Sequence, residues 1–349
     1  MANNYRAYLK AHLRNNLKPL LFFIVFSVVL TVALAYTSQK DVFYSYYNNT
    51  TRTTYYCTIW IPVMILAISC YIAPYMEFAF FKKRRNLDCA YALPVSRKEM
   101  GRAHYFSGLL TVFLPYTLSY ITNTLLMLRY AQEYSFAPLI PHYLLCLLFG
   151  ACAYSIFVFV FNEANSPGDG IWFIILWSAV IFLVLLAFSN DLFYDLLGKS
   201  IRRKISFVRE CAFVVSPLIL ISNVFTSLVE RPELFTYTHF FKEDEVIFCF
   251  VFWLVVGIAA TIAFFKTFGK RRMEKTEEIS DSWFGYRLLV PVYAVAGMLT
   301  FGSFGSGTIV LEVIIVILAL LGYAIYRRGF HYKKSEIIIL SLLLIFLFI

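Results

Sequence analysis

Charge is scarce in this chain. Asp, Glu, Lys and Arg together make up only 15% of its 349 residues, while 60% are hydrophobic and 19% aromatic. A soluble core of this size has no room to hide so much apolar surface, so the balance excludes an ordinary water-soluble globular protein and makes lipid the solvent. Ordered cysteine and histidine motifs are missing as well. The seven cysteines (57, 70, 89, 146, 152, 211 and 249) form no C-x-x-C pair. The five histidines, His12, His104, His142, His239 and His331, show no H-E-x-x-H, zinc-finger or haem spacing. A metal site would need residues brought together from several helices, and neither a metal nor a cofactor is expected. The sequence has no G-x-x-x-x-G-K-[ST] phosphate loop, so no ATPase centre is expected within it. The net charge of +10 does not amount to a nucleic-acid surface, because the basic residues sit in short clusters at the ends of apolar runs.

What the chain has in quantity is long apolar runs. Residues 19–39, 53–76, 105–128, 134–162, 170–190, 246–265 and 288–311 are free of Asp, Glu, Lys and Arg. Each is about 20 residues or longer, which at ~1.5 Å per residue crosses a hydrocarbon layer of ~30 Å. A further run at 309–326 holds only Glu312, and a last one starts near residue 336. The expected fold is all-α, a polytopic transmembrane helical bundle. Residues 211–229 are apolar enough to span but are interrupted by Ser216-Pro217 and Ser222-Asn223. Charge arbitrates. If this segment does not cross, the inner side receives 21 of the 31 lysines and arginines; if it crosses, the bias disappears. It is therefore read as part of an outer re-entrant loop, 191–245, even though this leaves Lys199, Arg202, Arg203 and Lys204 outside.

At the N-terminus Arg6, Lys10, Arg14 and Lys18 recur every four residues beside Tyr5, Leu9, Leu13 and Leu17. These adjacent stripes predict an amphipathic interfacial helix over 1–18 on an anionic inner leaflet, a topology-setting basic flank being the plainer alternative. Ala33-Leu34-Ala35 has the form of a signal-peptidase site, but the basic region and apolar run before it are too long for a signal peptide. The most elaborated loop spans 81–104: Phe81-Lys82-Lys83-Arg84-Arg85-Asn86-Leu87-Asp88, then Leu93-Pro94-Val95-Ser96-Arg97-Lys98-Glu99-Met100. Ser96-x-x-Glu99 is a capping box, and Pro94 blocks helix upstream of it, so a helix is predicted to start at Arg97. Glu77, at the end of the second run, is the candidate for an intramembrane ion pair, satisfied by the Lys82–Arg85 cluster or by reaching the interface. Glu312 is read as interfacial. Neither Glu77 nor Glu312 is expected at a bilayer midplane beside a second carboxylate or a histidine, so a proton relay finds little support.

Pro62, Pro74 and Pro115 are expected to kink the second and third spans, or to be ordinary membrane-helix prolines. Gly150, Ala151, Ala153 and Ser155, and Gly257, Ala259, Ala260 and Ala263, permit close helix approach. The tyrosines at 44, 46, 47, 55 and 56 read as an interfacial aromatic belt, and residues 162–169 as a turn with Asp169 near the start of the fifth span.

The run Arg85-Asn86-Leu87-Asp88, then Ala92-Leu93-Pro94-Val95-Ser96-Arg97-Lys98-Glu99, then Tyr105-Phe106-Ser107-Gly108-Leu109-Leu110 resembles the loop between the second and third membrane helices of bacterial ABC-2-type permeases. The six spans before residue 268, the N-terminal helix and the tail Lys270-Arg271-Arg272-Met273-Glu274 are similar to that family too. So is Ser280-Asp281-Ser282-Trp283-Phe284-Gly285-Tyr286 with the helices after it, which resembles permeases of Gram-positive gut bacteria. The resemblance implies a six-helix core over 19–267, with two or three extra C-terminal helices and their linker over 268–349. It also implies a cytosolic ABC-type ATPase partner docking on Arg84, Arg85, Asp88, Pro94, Ser96, Arg97, Lys98 and Glu99, and a second permease subunit, the same or different, in a bacterial cytoplasmic membrane with the N-terminus inside. The chain would then be no enzyme, but an ATP-driven exporter's permease subunit. The competing classes are a non-transporting sensor or assembly protein with a permease-like fold, a membrane-embedded lipid-modifying enzyme, and a secondary transporter. The enzyme reading requires acids, histidines or a nucleophile converging at one depth, and the sequence shows no such convergence.

Overall fold

The computed structural model describes residues 2–38, 40–45, 50–55, 58–86, 92–128, 136–188, 213–230, 244–270, 276–278, 280, 282–301, 309–327 and a few positions between 329 and 341. Helices dominate: α1 (Ala2–Ser38), α2 (Trp60–Phe78), α3 (Arg97–Met127), α4 (Leu139–Glu163), α5 (Pro167–Phe188), α6 (Ser216–Glu230), α7 (Asp244–Phe268), α8 (Tyr286–Phe301) and α9 (Ile309–Arg327). A 3-10 turn, Ala79–Lys82, extends α2, and one antiparallel hairpin, β1 (Lys40–Ser45) with β2 (Thr50–Tyr55), joins α1 to α2. Of the tyrosines expected as an aromatic belt, Tyr44 lies on β1 and Tyr55 on β2, while Tyr46, Tyr47 and Tyr56 lie outside the described residues.

Six helices are long and apolar enough to cross a membrane, by length and composition: Tyr5–Thr37, Trp60–Lys82, Arg97–Met127, Leu139–Glu163, Pro167–Val184 and Ile247–Phe268. Apolar side chains face outward along them, Phe22 on α1 being 75% exposed, as lipid-facing helices require. Beyond α7 the apolar helices Tyr286–Met298 and Val313–Ala324 are shorter, and most of the run expected from residue 336 lies outside the described residues. Helix α6 has 15 residues, a rise of about 22 Å that falls short of a ~30 Å layer. Residues 191–212 and 231–243 of the expected re-entrant loop lie outside the described residues.

Two expectations are corrected. Segment 1–18 is not a separate interfacial helix: it is continuous with the first span in one 37-residue helix, with Pro19 inside it. Its stripes at four-residue spacing mark faces of a packed helix, because α1 lies against α3 and α2 and needs an inward face along its whole length. Pro62 is the second correction. It is the third residue of α2, where an amide has no intrahelical partner to lose, so it imposes no kink; Pro74 and Pro115 are interior.

The chain divides into two compact units. The first comprises Met1–Phe78, Cys89–Val158 and Pro217–Arg271, the second Ala79–Asp88, Phe159–Ser216 and Arg272–Ile349. In the first, α3 packs against α1, α2 and α7. Small residues set the spacing: a Cβ on Gly257 would lie 2.6 Å from the Cys152 Cβ and 2.9 Å from its Cα, so α7 and α4 meet almost backbone to backbone. In the second unit α8 packs on α5 and α9, around Ala294, Met298, Val316, Ala319, Tyr323 and Tyr326. The turn before α5 is Ala164–Ser166, shorter than the expected 162–169. The Ser166 hydroxyl accepts from the Asp169 amide at 3.1 Å and Pro167 opens the helix, a cap built from local sequence.

Candidate functional site: a buried carboxylate between two histidines

Helix α3 starts where its sequence says it must. Ser96 is extended (φ −67°, ψ 149°), its hydroxyl accepts from the Glu99 amide at 3.3 Å, and the Glu99 carboxylate accepts from the Ser96 amide at 3.0 Å. With its start fixed, α3 places His104, Ser107 and Thr111 along one face, at spacings of three and four residues. Helix α1 does the same with Tyr8, His12 and Asn16 at steps of four. Between these faces stands Glu77, in the last turn of α2 and only 2% exposed.

The carboxylate's two oxygens meet different chemistry. Oε1 accepts from the Ser107 hydroxyl at 2.9 Å, from the Asn16 amide at 3.2 Å and from Thr111 at 3.5 Å. Oε2 faces two imidazoles, His12 Nε2 at 2.7 Å and His104 Nδ1 at 3.4 Å. The far side of the His104 ring, Nε2, is hydrogen-bonded to the Tyr8 hydroxyl at 2.8 Å, and Asn16 Nδ2 also lies 3.1 Å from His12 Nε2. The two imidazole rings sit 3.9 Å apart, centroid to centroid. Gly108 makes the pocket possible. A Cβ there would strike the Tyr154 hydroxyl and lie 3.1 Å from the Glu77 Cγ. Every one of these groups belongs to the first unit. A charge buried this deeply persists only when polar partners surround it, and here they come from two helices, α1 and α3.

Glu77 was expected to pair with Lys82–Arg85; its bonds go to α1 and α3 instead. Helix geometry explains why Lys82 is no partner: five positions at 100° each place it about 140° around the axis. Lys82 is itself fully buried, in the second unit, where its ammonium donates to the Ala164 carbonyl, lies 3.5 Å from that of Asn162 and sits 4.9 Å above the Phe161 ring. It caps the C-terminal end of α4, where backbone carbonyls lack helical partners.

The expected docking residues divide between the units. Arg84 and Arg85 are exposed and lie in the second. The Arg84 guanidinium donates to the Thr276 carbonyl at 2.8 Å and reaches Glu278 at 3.6 Å, while its amide donates to Glu277 at 3.1 Å. Pro94, Ser96, Arg97, Lys98 and Glu99 are in the first unit. Pro94 and Lys98 are exposed, and Ser96 and Glu99 bond each other. Asp88 and residues 271–274 of the basic tail lie outside the described residues, as does the Glu312 side chain.

Chemically, the cluster can bind a proton or a metal ion. His12, Glu77 and His104 each offer one ligand atom, all within 4.8 Å of one another. No protein-family model matches the sequence, and no curated protein or solved structure matches it.

Proposed function

We propose that this chain is the membrane-spanning permease subunit of an ATP-driven ABC exporter, coupled to a separate cytosolic ATPase through residues 81–104. The observation that supports this reading is the start of α3. A fully formed capping box at Ser96 opens the helix, which continues for 31 residues through an apolar span. A push at Ser96 is thereby transmitted along about 46 Å of continuous helix, the mechanical property that coupling to a soluble motor demands. The sequence contains no phosphate loop of its own, so hydrolysis falls to a partner. Two permease subunits would enclose the path in a bacterial cytoplasmic membrane, with the N-terminus inside.

The test is a tagged purification in mild detergent, with mass spectrometry of the co-purifying proteins and an ATPase assay. A stoichiometric soluble ATPase that is lost in Pro94→Ala, Arg97→Glu and Lys98→Glu variants supports the reading. Repeated recovery without an ATPase, from membranes that express one, overturns it.

A membrane-embedded enzyme is the second reading, because His12, Glu77 and His104 supply the convergence of acid and histidines that it requires. It ranks below the first. Two cavities among the described residues, of about 410 Å³ beside Tyr120 and Tyr143 and about 400 Å³ beside Tyr286 and Tyr293, are lined by residues outside the cluster, so neither of these leads substrate to it. Turnover of lipid by the purified chain, abolished by Glu77→Gln, would reverse that order.

A further inference from the structure

We infer that His12, Glu77 and His104 form a binding site for one divalent transition-metal ion of the zinc class, which fastens α1 to α2 and α3. The inference stands on the cluster alone and is independent of transport. The first argument is the ligand set. Two imidazole nitrogens and one carboxylate oxygen are an N2O combination suited to Zn2+ and its first-row neighbours, whereas Mg2+ and Ca2+ seek cages of oxygen.

Spacing is the second argument. A tetrahedral zinc ion with bonds of ~2.0–2.1 Å holds its ligand atoms about 3.3 Å apart. The Glu77 Oε2 lies 2.7 Å from His12 Nε2 and 3.4 Å from His104 Nδ1, with all three ligand atoms within 4.8 Å of one another, so a shift of about half an ångström by the His12 ring brings both carboxylate–imidazole pairs to that spacing.

The third argument is the support around the ligands. Metal-binding imidazoles usually have their second nitrogen fixed by a hydrogen bond, and ligating carboxylates are themselves hydrogen-bonded. The first is met at His104 and the second at Glu77. Tyr8 holds His104 Nε2, which directs Nδ1 to the site, and Ser107 and Asn16 occupy Oε1, which leaves Oε2 for the ion. In the tautomer whose Nε2–H donates to the Tyr8 hydroxyl, the His104 Nδ1 lone pair is turned toward the site and available to an ion. The three protein ligands leave a fourth position open. Entry is on the His12 side: that side chain is 13% exposed, against 1% for Glu77 and 5% for His104.

The test uses the full-length protein in detergent, stripped with chelator and titrated with Zn2+ against a chromophoric competitor, then with Co2+ alone. One equivalent of Zn2+ per chain is expected. The Co2+ complex should show tetrahedral visible bands without a sulfur-to-cobalt band in the near ultraviolet. His12→Asn and His104→Asn should each weaken Zn2+ by more than the roughly 10–100-fold expected when only a supporting group is lost, and Tyr8→Phe by about 10-fold. Circular dichroism and gel filtration confirm that the variants are folded. Absence of Zn2+ binding above a detergent blank overturns the inference, as does undiminished affinity in the His12→Asn/His104→Asn double variant. Should the histidine variants aggregate, wild-type Co2+ spectra still decide: a thiolate band or an octahedral pattern places the ion elsewhere and overturns it.

Discussion

Glu77 and Lys82 are five residues apart, opposite in charge and both buried, yet the protein satisfies them in unrelated ways. Lys82 bonds to backbone. Its ammonium finds the carbonyls at the end of α4, a set of acceptors that any helix C-terminus offers. Glu77 bonds almost wholly to side chains, namely two imidazoles, an amide and two hydroxyls drawn from α1 and α3. A backbone-capped lysine is a fastening that tolerates sequence change around it. A carboxylate held by five chosen side chains is specific to those residues, and the two imidazoles among them are more than neutralising one charge requires. That contrast is why the metal site is sought at Glu77 and not at Lys82.

The largest effect should come from reversing the charges. Glu77→Lys and Lys82→Glu each leave a buried charge among groups of the wrong polarity, and each should cost about 3–5 kcal/mol of stability in thermal unfolding in detergent. The double swap decides whether the two sites are separate: the losses should add, while rescue in the double variant would show that the two charges answer each other after all. A smaller effect sharpens the contrast from one side. Gly108→Val drives a side chain into Tyr154 and the Glu77 Cγ, so it should destabilise by about 1–3 kcal/mol and, in the same protein, weaken Zn2+ binding. A stability loss with metal affinity intact would detach Gly108 from the site. Smallest is Ser96→Ala, which removes one half of the capping box from the start of α3. It should cost about 1 kcal/mol in unfolding and leave Zn2+ affinity within twofold, because His104 sits two turns further along the helix.

Local features of this architecture were readable in the residues, and long-range ones were not. Charge-free runs located the spans because burial in lipid depends on composition over about 20 residues, and the Ser96–Glu99 box predicted the start of α3 because both bonds close within four positions. The cluster escaped because its ligands are 65 and 27 residues apart in sequence and meet only through helix packing. One signal was present and unused: Tyr8, His12 and Asn16 form a third stripe on α1 beside the basic and apolar ones, and His104, Ser107 and Thr111 form its counterpart on α3. A polar stripe on a helix otherwise suited to lipid asks for a partner carrying charge, and Glu77, read against the Lys82–Arg85 cluster, was a carboxylate within the apolar runs that could answer it. Lys82 was misread for the same reason in reverse. In sequence it is one of four consecutive basic residues, and nothing local says that the end of α4 returns to cover the first of them.

That covering has a consequence for how the folded chain meets a protease. Of the four consecutive basic side chains Lys82, Lys83, Arg84 and Arg85, three are exposed and the first is sealed. An enzyme that cuts after lysine and arginine finds the Lys83, Arg84 and Arg85 bonds at the surface, while the Lys82 bond is closed to it until the end of α4 is pulled away. Within this run the first nick in the native protein therefore falls after the buried lysine, and cleavage at Lys82 marks a molecule in which that helix end has already come loose.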